Sequence, residues 1–178
     1  MRQRTKNNPI HDMTTTQTHK TAIVTGGSRG IGRAICIELA SRGVQIAFCG
    51  RSLNANTASL EEQLRGMGVE AKAYALDAAD HEAAKTFVAD VLRDFGTIDY
   101  LVNNAGITRD GLLMRMDEEQ WDSVICANLK SVFNVTSALL PSMIRARSGA
   151  IISLSSVVGL HGNAGQTNYS ASKAGIVG

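Results

Sequence analysis

Five short apolar runs alternate with longer amphipathic stretches along this chain. The runs are rich in β-branched residues or alternate between apolar and polar side chains, as β-strands do, and they cover residues 21–25, 44–49, 69–76, 98–103 and 150–155. Between them, apolar residues recur with helical spacing at positions 30–42, 53–67, 80–95 and 117–147. This alternation predicts an α/β fold, a doubly wound, Rossmann-like parallel sheet with helices on both faces.

Signals at the helix ends support this pattern. Asp117 and Gln120 have the spacing of a capping pair, which predicts that the fourth helical stretch begins there. Pro141 falls inside the same stretch, so we expect a kink or a separate last turn at that point. Three of the stretches are followed by glycine, the residue that helix C-termini favour: Gly43, Gly68 and Gly96.

Length and composition indicate one globular domain behind a polar leader. The chain has 178 residues, of which 44% are hydrophobic and 19% are charged. No uninterrupted apolar run approaches the roughly 18 residues that a membrane-spanning helix needs, so we expect no membrane span. Residues 1–19 lack the apolar centre of a signal peptide and are predicted to form a disordered leader, with Met13 as an alternative start. Residues 20–178 form the predicted domain.

The charge balance and the cysteines indicate which partners and which cellular compartment to expect. Of 18 basic and 16 acidic residues, the first 20 positions hold four bases and one acid, which leaves 14 bases against 15 acids. That balance gives no reason to expect a nucleic-acid partner. The cysteines are scattered, without a CxxC pair, and are predicted to be buried free thiols of a cytoplasmic protein rather than disulfide or metal ligands: Cys36, Cys49 and Cys126.

A glycine-rich segment, TGGSRGIG at residues 25–32, follows the first predicted strand and opens the first predicted helix. Its glycines permit a tight turn close to a pyrophosphate, and the helix N-terminus offers that anion unpaired N–H groups. A purely structural turn is the alternative, but a strand before and a helix after favour a dinucleotide site. The candidate contacts are Thr25, Gly26, Ser28, Arg29, Gly30, Ile31 and Gly32.

The end of the second predicted strand bears on which dinucleotide would bind. An NAD site usually has an acidic residue there for the ribose 2′-hydroxyl. This strand instead ends in CGRS, at residues 49–52. Arg51 and Ser52, together with Arg29, are suited to a 2′-phosphate, although either arginine alone is typical of solvated surface. Two arginines and no carboxylate favour NADPH as the cofactor.

The spacing TGxxxGxG resembles that of the short-chain dehydrogenase/reductase family, and later motifs extend the resemblance. NNAG, at residues 103–106, ends the fourth predicted strand as the family's motif does. The resemblance implies that Asn104, Ala105 and Gly106 of this motif shape the cofactor pocket. It also implies that Asp77, after the third predicted strand, contacts the adenine amino group. It also implies a catalytic set, namely Asn128, Ser156, Tyr169 and Lys173. The family's spacing before the tyrosine selects Ser156, and Ser155 is the alternative.

The proposed chemistry explains these residue types. Tyr169 and Lys173 are four positions apart, so on a helix they project from one face. A free tyrosine has a pKa of about 10, and a neighbouring ammonium favours its ionised form, which suits the pair to proton transfer near neutral pH. The resemblance implies that both residues also contact the cofactor, that Ser156 stabilises the charge developing on the substrate carbonyl, and that Asn128 positions a water in a proton relay.

Two longer stretches, LVNNAGITRDGLLMRM and SSVVGLHGNAGQTNYSASKAG, resemble the 3-oxoacyl-[acyl-carrier-protein] reductases of bacterial fatty acid synthesis. The resemblance runs from about residue 20 to the last residue and implies NADPH-dependent reduction of 3-oxoacyl thioesters to 3-hydroxyacyl thioesters. ITRD also suits acetoacetyl-CoA reductases. Arg147, with Arg145 beside it, matches a basic position that contacts the acidic acyl carrier protein in this family; a solvated helix end is the alternative reading.

Reductases of this kind continue well beyond the tyrosine–lysine helix, with two more strands, and form homotetramers. We therefore expect residues 20–178 to be a domain that is incomplete at its C-terminus, which makes a tetramer of this chain doubtful. The strand at 150–155 would then be an exposed apolar edge. Three hypotheses follow: the chain is part of a working reductase, it binds a dinucleotide without catalysis, or it has no stable fold.

Overall fold

The computed structural model describes residues 19–178, so the predicted leader lies outside the described residues except for His19. Five parallel strands form one sheet in the order β3-β2-β1-β4-β5. Their bounds are β1 Thr21–Thr25, β2 Gln45–Gly50, β3 Ala71–Ala75, β4 Tyr100–Asn103 and β5 Ala150–Ser153. The predicted α/β fold with a parallel sheet is confirmed, and each strand lies within or one residue beyond its predicted run.

Seven α-helices accompany the sheet in the described part of the chain. They are α1 Gly30–Ser41, α2 Ala55–Gly66, α3 His81–Phe95, α4 Glu118–Ile125, α5 Ser131–Ala146, α6 Val157–His161 and α7 Thr167–Val177. The predicted capping pair begins α4, because the Asp117 carboxylate accepts a hydrogen bond from the Gln120 backbone N–H at 2.7 Å while the Gln120 side chain accepts one from the Asp117 N–H. The three predicted terminal glycines have φ of 78°, 87° and 79°.

The long helical stretch is interrupted at a different place from the one predicted. A π-helical turn, Cys126–Lys130, separates α4 from α5. Pro141 lies inside α5, which continues to Ala146, so of the two predicted alternatives, a kink or a separate last turn, the separate last turn does not occur. Asn128 lies in this π-helical turn, and its side chain is fully buried. The short helix α6 was not predicted, since five residues show no period.

Alternate side chains of the strands serve two cores, one on each face of the sheet. Ala22 and Val24 of β1 pack with the layer that includes Cys36 of α1 and Leu60 of α2. Ile23 between them packs on the opposite face, in the layer formed with α3 and α5. All of these strand side chains are fully buried. A sheet covered by helices on both faces is the doubly wound arrangement that the sequence predicts.

The fifth strand forms one edge of the sheet. Ile151 and Ile152 are 38% and 47% exposed, as expected for an apolar edge strand without a further neighbour among the described residues. By length and composition alone, the helical segment Glu118–Ala146 could cross a membrane. Core helices of soluble proteins meet the same criteria, and here this segment packs against α3 and α7.

Candidate active site

The glycine-rich turn connects the end of β1 to the start of α1. Gly26 and Gly30 have φ of 65° and 55°, a conformation that favours glycine. Gly32 has no room for a side chain, because a Cβ there would lie 2.5 Å from Asn104 Nδ2 and closer still to the Gly26 carbonyl oxygen. Arg29, the N-cap of α1, makes no side-chain capping bond. The first amides of α1 are therefore available to an anion.

The NNAG segment after β4 is tied directly to this turn. Asn104 Nδ2 donates to the carbonyl oxygens of Thr25 at 2.9 Å and Gly26 at 3.1 Å. In return, Thr25 Oγ1 accepts from the N–H groups of Asn104 and Ala105, both at 3.0 Å. Thr25 is buried and does not line the cleft. Thr25 therefore connects the two loops by hydrogen bonds and does not face the space where a cofactor would bind, although it was predicted as a cofactor contact.

A cleft of about 670 Å³ opens at the carboxyl edge of the strands, in front of these loops. It is lined by the glycine-rich turn and by the ends of β2, β3 and β4, including Arg29, Arg51, Ser52, Asp77 and Gly106. Neither arginine forms an ion pair with a described residue. The Asp77 carboxylate accepts from the Ala79 N–H at 3.0 Å.

A second cavity, of about 510 Å³, adjoins the cleft and shares part of its wall. The shared lining residues are Arg29, Ile31, Arg51, Asn104, Gly106 and Ile107. Tyr169 and Lys173 of α7 line this second cavity, so these two of the four predicted catalytic residues lie on a groove continuous with the glycine-rich turn. The Lys173 ammonium is 5.8 Å from the centroid of the Tyr169 ring. The ring and the amine therefore face the same side of α7.

Lys173 is held deep in this groove. Its side chain is mostly buried, and Nζ donates to the Leu154 carbonyl oxygen at 2.6 Å. Burial lowers the pKa of Lys173 below its ordinary value. A Cβ added to Gly106 would lie 3.8 Å from Nζ, which brings the ammonium next to the NNAG segment.

The two candidate serines make different contacts. The Ser155 hydroxyl donates to the Lys173 carbonyl oxygen at 2.7 Å, so its proton is already engaged by α7. Ser156 is the N-cap of α6, where Oγ accepts from the Val158 N–H at 3.2 Å and the hydroxyl proton stays free. Ser155 lines the second cavity and Ser156 does not.

Asn128 lies in the π-helical turn and is fully buried. Its Oδ1 accepts from the Ile107 N–H at 2.7 Å, and its Nδ2 donates to the Ile107 carbonyl oxygen and to Ser172 Oγ, both at 3.0 Å. The side chain thus connects the loop after β4 to α7 and lines neither cavity.

The three cysteines are free thiols, and Cys49 lies in the wall of the larger cleft. Cys36 and Cys49 are buried free thiols, as predicted, and burial raises the pKa of each to about 12. Cys126 is also free but only half-buried, because it lies at the start of the π-helical turn. Within residues 19–178, no group of three or more metal-ligating side chains comes together.

A sequence-only reading missed the contacts that hold the start of α7. Asn168, directly before Tyr169 in α7, is fully buried; it accepts from the Tyr169 N–H and donates to the carbonyl oxygens of Arg109 and Gln120 in two other segments. Gln166 donates to both carboxylate oxygens of Asp110 at 3.1 Å. The partners Arg109, Asp110 and Gln120 lie 48 to 59 residues away in the chain, so no local motif indicates these contacts.

A sheet of this order, a glycine-rich turn at the first strand and a tyrosine–lysine pair on the adjoining groove occur together in this structure. The family model described as short chain dehydrogenase matches residues 20–178, and the chain belongs to that family.

Curated relatives carry a more specific name. A 3-oxoacyl-[acyl-carrier-protein] reductase FabG of Staphylococcus aureus (strain N315) is 50% identical over 159 residues, which are 89% of this chain and 65% of that protein. Proteins of the same name from Chlamydia trachomatis serovar D and Thermotoga maritima are 49% and 47% identical, over 90% and 89% of this chain and 64% of each relative. The chain spans about 65% of the length of the relatives it matches.

Proposed function

We propose that this chain carries the cofactor site and the catalytic residues of an NADPH-dependent reductase that converts 3-oxoacyl thioesters into 3-hydroxyacyl thioesters in fatty acid synthesis. The observation that carries the proposal is the continuous groove that joins the glycine-rich turn to Tyr169 and Lys173. The names of the relatives support the substrate class.

The residues of the cleft fit a nicotinamide dinucleotide. Gly32 leaves no space for a Cβ beside the turn, and the uncapped start of α1 points N–H groups at the place for a pyrophosphate. The 2′-phosphate that distinguishes NADPH would be contacted by Arg29, Arg51 and Ser52. Neither arginine has an ion-pair partner among the described side chains. Asp77 would contact the adenine amino group.

Tyr169 would donate the proton that completes reduction of the 3-oxo group. A nicotinamide cofactor held in this groove would supply the hydride that the carbonyl carbon receives. The oxygen then develops negative charge, and a phenol O–H within reach quenches it. Lys173 Nζ lies 5.8 Å from the Tyr169 ring centroid and would also hold the ribose hydroxyls of the cofactor. The charge transferred to the tyrosine is stabilised by that neighbour.

Ser156 is the stronger candidate for the carbonyl contact. Its oxygen accepts from a backbone N–H, so its own proton remains free to donate to the substrate. Ser155, although it lines the cavity, already donates to the Lys173 carbonyl oxygen. We propose that Asn128 fixes the loop at Ile107 against α7. The family resemblance also implies that it positions a water in a proton relay.

An acyl carrier protein is the proposed partner, and acetoacetyl-CoA reduction is the alternative. Arg145 and Arg147 are exposed and would face an acidic surface. They precede the first residue of β5, at the amino edge of the sheet, whereas the groove lies at the carboxyl edge. A carrier bound there must therefore send its acyl group along the side of the sheet. We propose that the reductase is cytoplasmic and homotetrameric.

A second candidate is dinucleotide binding without turnover, which the cleft in front of the glycine-rich turn supports by itself. The experiment follows NADPH oxidation by the purified chain with acetoacetyl-CoA, and NADPH binding by fluorescence. Turnover that Tyr169→Phe abolishes while binding persists supports the reductase. Binding without any turnover supports the second candidate, and absence of both contradicts the cofactor site.

A further inference from the structure

Asn168 uses its whole side-chain amide in fixed contacts. Its Nδ2 donates to the Arg109 carbonyl oxygen at 2.9 Å and to the Gln120 carbonyl oxygen at 3.0 Å, while its Oδ1 accepts from the Tyr169 N–H at 2.7 Å. The side chain has no exposed surface. A buried amide that satisfies two carbonyls and one N–H cannot shift without leaving a polar group unpaired.

The three partners belong to three different segments around the groove. Arg109 lies in the loop that follows NNAG and lines the second cavity, Gln120 lies in the first turn of α4, and Tyr169 lies in the first turn of α7. First-turn amides have no partner within their own helix. The N-cap residue Gln166 makes no capping bond, so Asn168 satisfies the Tyr169 amide instead.

Outer contacts close the same junction. The Gly111 N–H donates to the Gly165 carbonyl oxygen at 2.8 Å, and Gln166 donates to both carboxylate oxygens of Asp110 at 3.1 Å. These residues are exposed or half-buried, whereas Asn168 is the buried centre of the junction.

The two ends of the catalytic turn are held in different ways. At the lysine end, Nζ bonds to Leu154 and the backbone carbonyl bonds to Ser155. At the tyrosine end, the phenol hydroxyl has no hydrogen-bond partner among residues 19–178. The place of the Tyr169 ring in the groove therefore depends on where its backbone is held, and Asn168 is the side chain that holds it.

We propose that Asn168 is a positioning residue for Tyr169. It fixes the first turn of α7 against α4 and against the cavity wall at Arg109, and thereby places the phenol within reach of the substrate oxygen. This inference rests on the proposed role of Tyr169 as proton donor. A displacement of about 1 Å at a reacting group can lower a rate by about a hundredfold.

The test compares Asn168→Ala with Ser170→Ala in the full chain. The Ser170 hydroxyl is buried without a partner, so its removal from the same helix serves as the matched control. We expect Asn168→Ala to lower kcat with acetoacetyl-CoA about a hundredfold, with the KM and Kd for NADPH within about twofold of wild type. Ser170→Ala should match wild type in every measurement. Equal kcat in wild type and Asn168→Ala would overturn the inference.

A pH profile separates positioning from general support of the fold. Asn168→Asp keeps the shape and the acceptor for the Tyr169 N–H, but its carboxylate faces the carbonyl oxygens of Arg109 and Gln120. Protonation restores one donor, so kcat relative to wild type should rise as the pH falls. A ratio that is constant with pH counts against the inference. This isosteric variant also carries the test if Asn168→Ala does not fold.

Hydrogen exchange distinguishes failure of this inference from failure of the proposed function, because it needs neither cofactor nor turnover. In Asn168→Ala the Tyr169 amide should exchange about fivefold faster, as expected for loss of one hydrogen bond, while the amides of β1 keep their protection. Wild type without turnover would count against the proposed function alone. Unchanged exchange at Tyr169 would overturn the role of Asn168.

Discussion

Replacing Gly32 by alanine should damage cofactor binding far more than it damages the fold. The added Cβ would lie 2.5 Å from Asn104 Nδ2, 2.9 Å from the Gly26 carbonyl carbon and closer still to the carbonyl oxygen. Side-chain carbons essentially never approach other atoms closer than 3.0 Å. The nearest atom is a backbone oxygen of the glycine-rich turn and the next is Asn104 Nδ2, so the turn must move and the hydrogen bonds from Asn104 should weaken.

The expected magnitudes follow from opposing terms. Overpacking costs about 1–3 kcal/mol, while alanine is better than glycine in a helix interior by about 1 kcal/mol. The net loss in the free energy of unfolding is therefore about 0–2 kcal/mol. Displacing the N–H groups that receive the pyrophosphate should cost at least about 1.4 kcal/mol of binding, which is a tenfold rise in the Kd for NADPH.

The assay is a fluorescence titration with NADPH, paired with urea unfolding of the same samples. Gly66→Ala is the matched control, since Gly66 also lies in a helix and a Cβ there would meet nothing within 4 Å. It should bind NADPH as wild type does and unfold at an equal or higher urea concentration. Gly32→Ala with wild-type affinity would refute the reasoning, as would an equal loss of affinity in both variants.

Three further predictions concern charge, thiols and acid. Arg51→Glu should raise the KM for NADPH by about tenfold or more, the value of a charge-assisted hydrogen bond, and leave the KM for NADH unchanged or lower; equal effects on both cofactors would contradict the 2′-phosphate contact. In native protein at pH 8, iodoacetamide should label Cys126 first, because burial raises the pKa of two other thiols to about 12, those of Cys36 and Cys49; mass spectrometry of peptides reads the order, and equal labelling would contradict it. The hydrogen bonds from Lys72 and Tyr74 lower the pKa of Asp94 from 3.8 to about 2. Its stabilisation is therefore complete above pH 3.8 and lost as the pH falls toward 2, so Asp94→Asn should flatten that part of the acid-unfolding curve, and an unchanged slope would refute the assignment.

The order of strands and helices could be predicted because burial leaves a period in the sequence. Ala22, Ile23 and Val24 are all buried, on alternate faces, so β1 appears as an apolar run bounded by turn residues. The glycine-rich turn and the tyrosine–lysine spacing are likewise local patterns. That these two patterns lie near each other could be predicted only because the parallel strands all end at the same edge of the sheet.

Features set by distant contacts could not be predicted in this way. The π-helical turn at Cys126–Lys130 depends on Asn128 reaching the backbone of Ile107 and Ser172 on α7, 21 and 44 residues away. Thr25 belongs to the motif but faces the NNAG amides, because its side chain lies on the inner side of the turn. Asn168 resembles any polar residue at a helix start until its three partners are known.

Single-turnover transfer from NADPH deuterated at the reactive carbon tests most directly whether cofactor and tyrosine act on one substrate in this groove. Mass spectrometry of the 3-hydroxyacyl product should find one deuterium at C3 with the wild-type chain. With Tyr169→Phe, the rate should fall by about a hundredfold or more while the Kd for NADPH stays the same. Transfer at an equal rate in the variant, or a product without deuterium, would contradict the account.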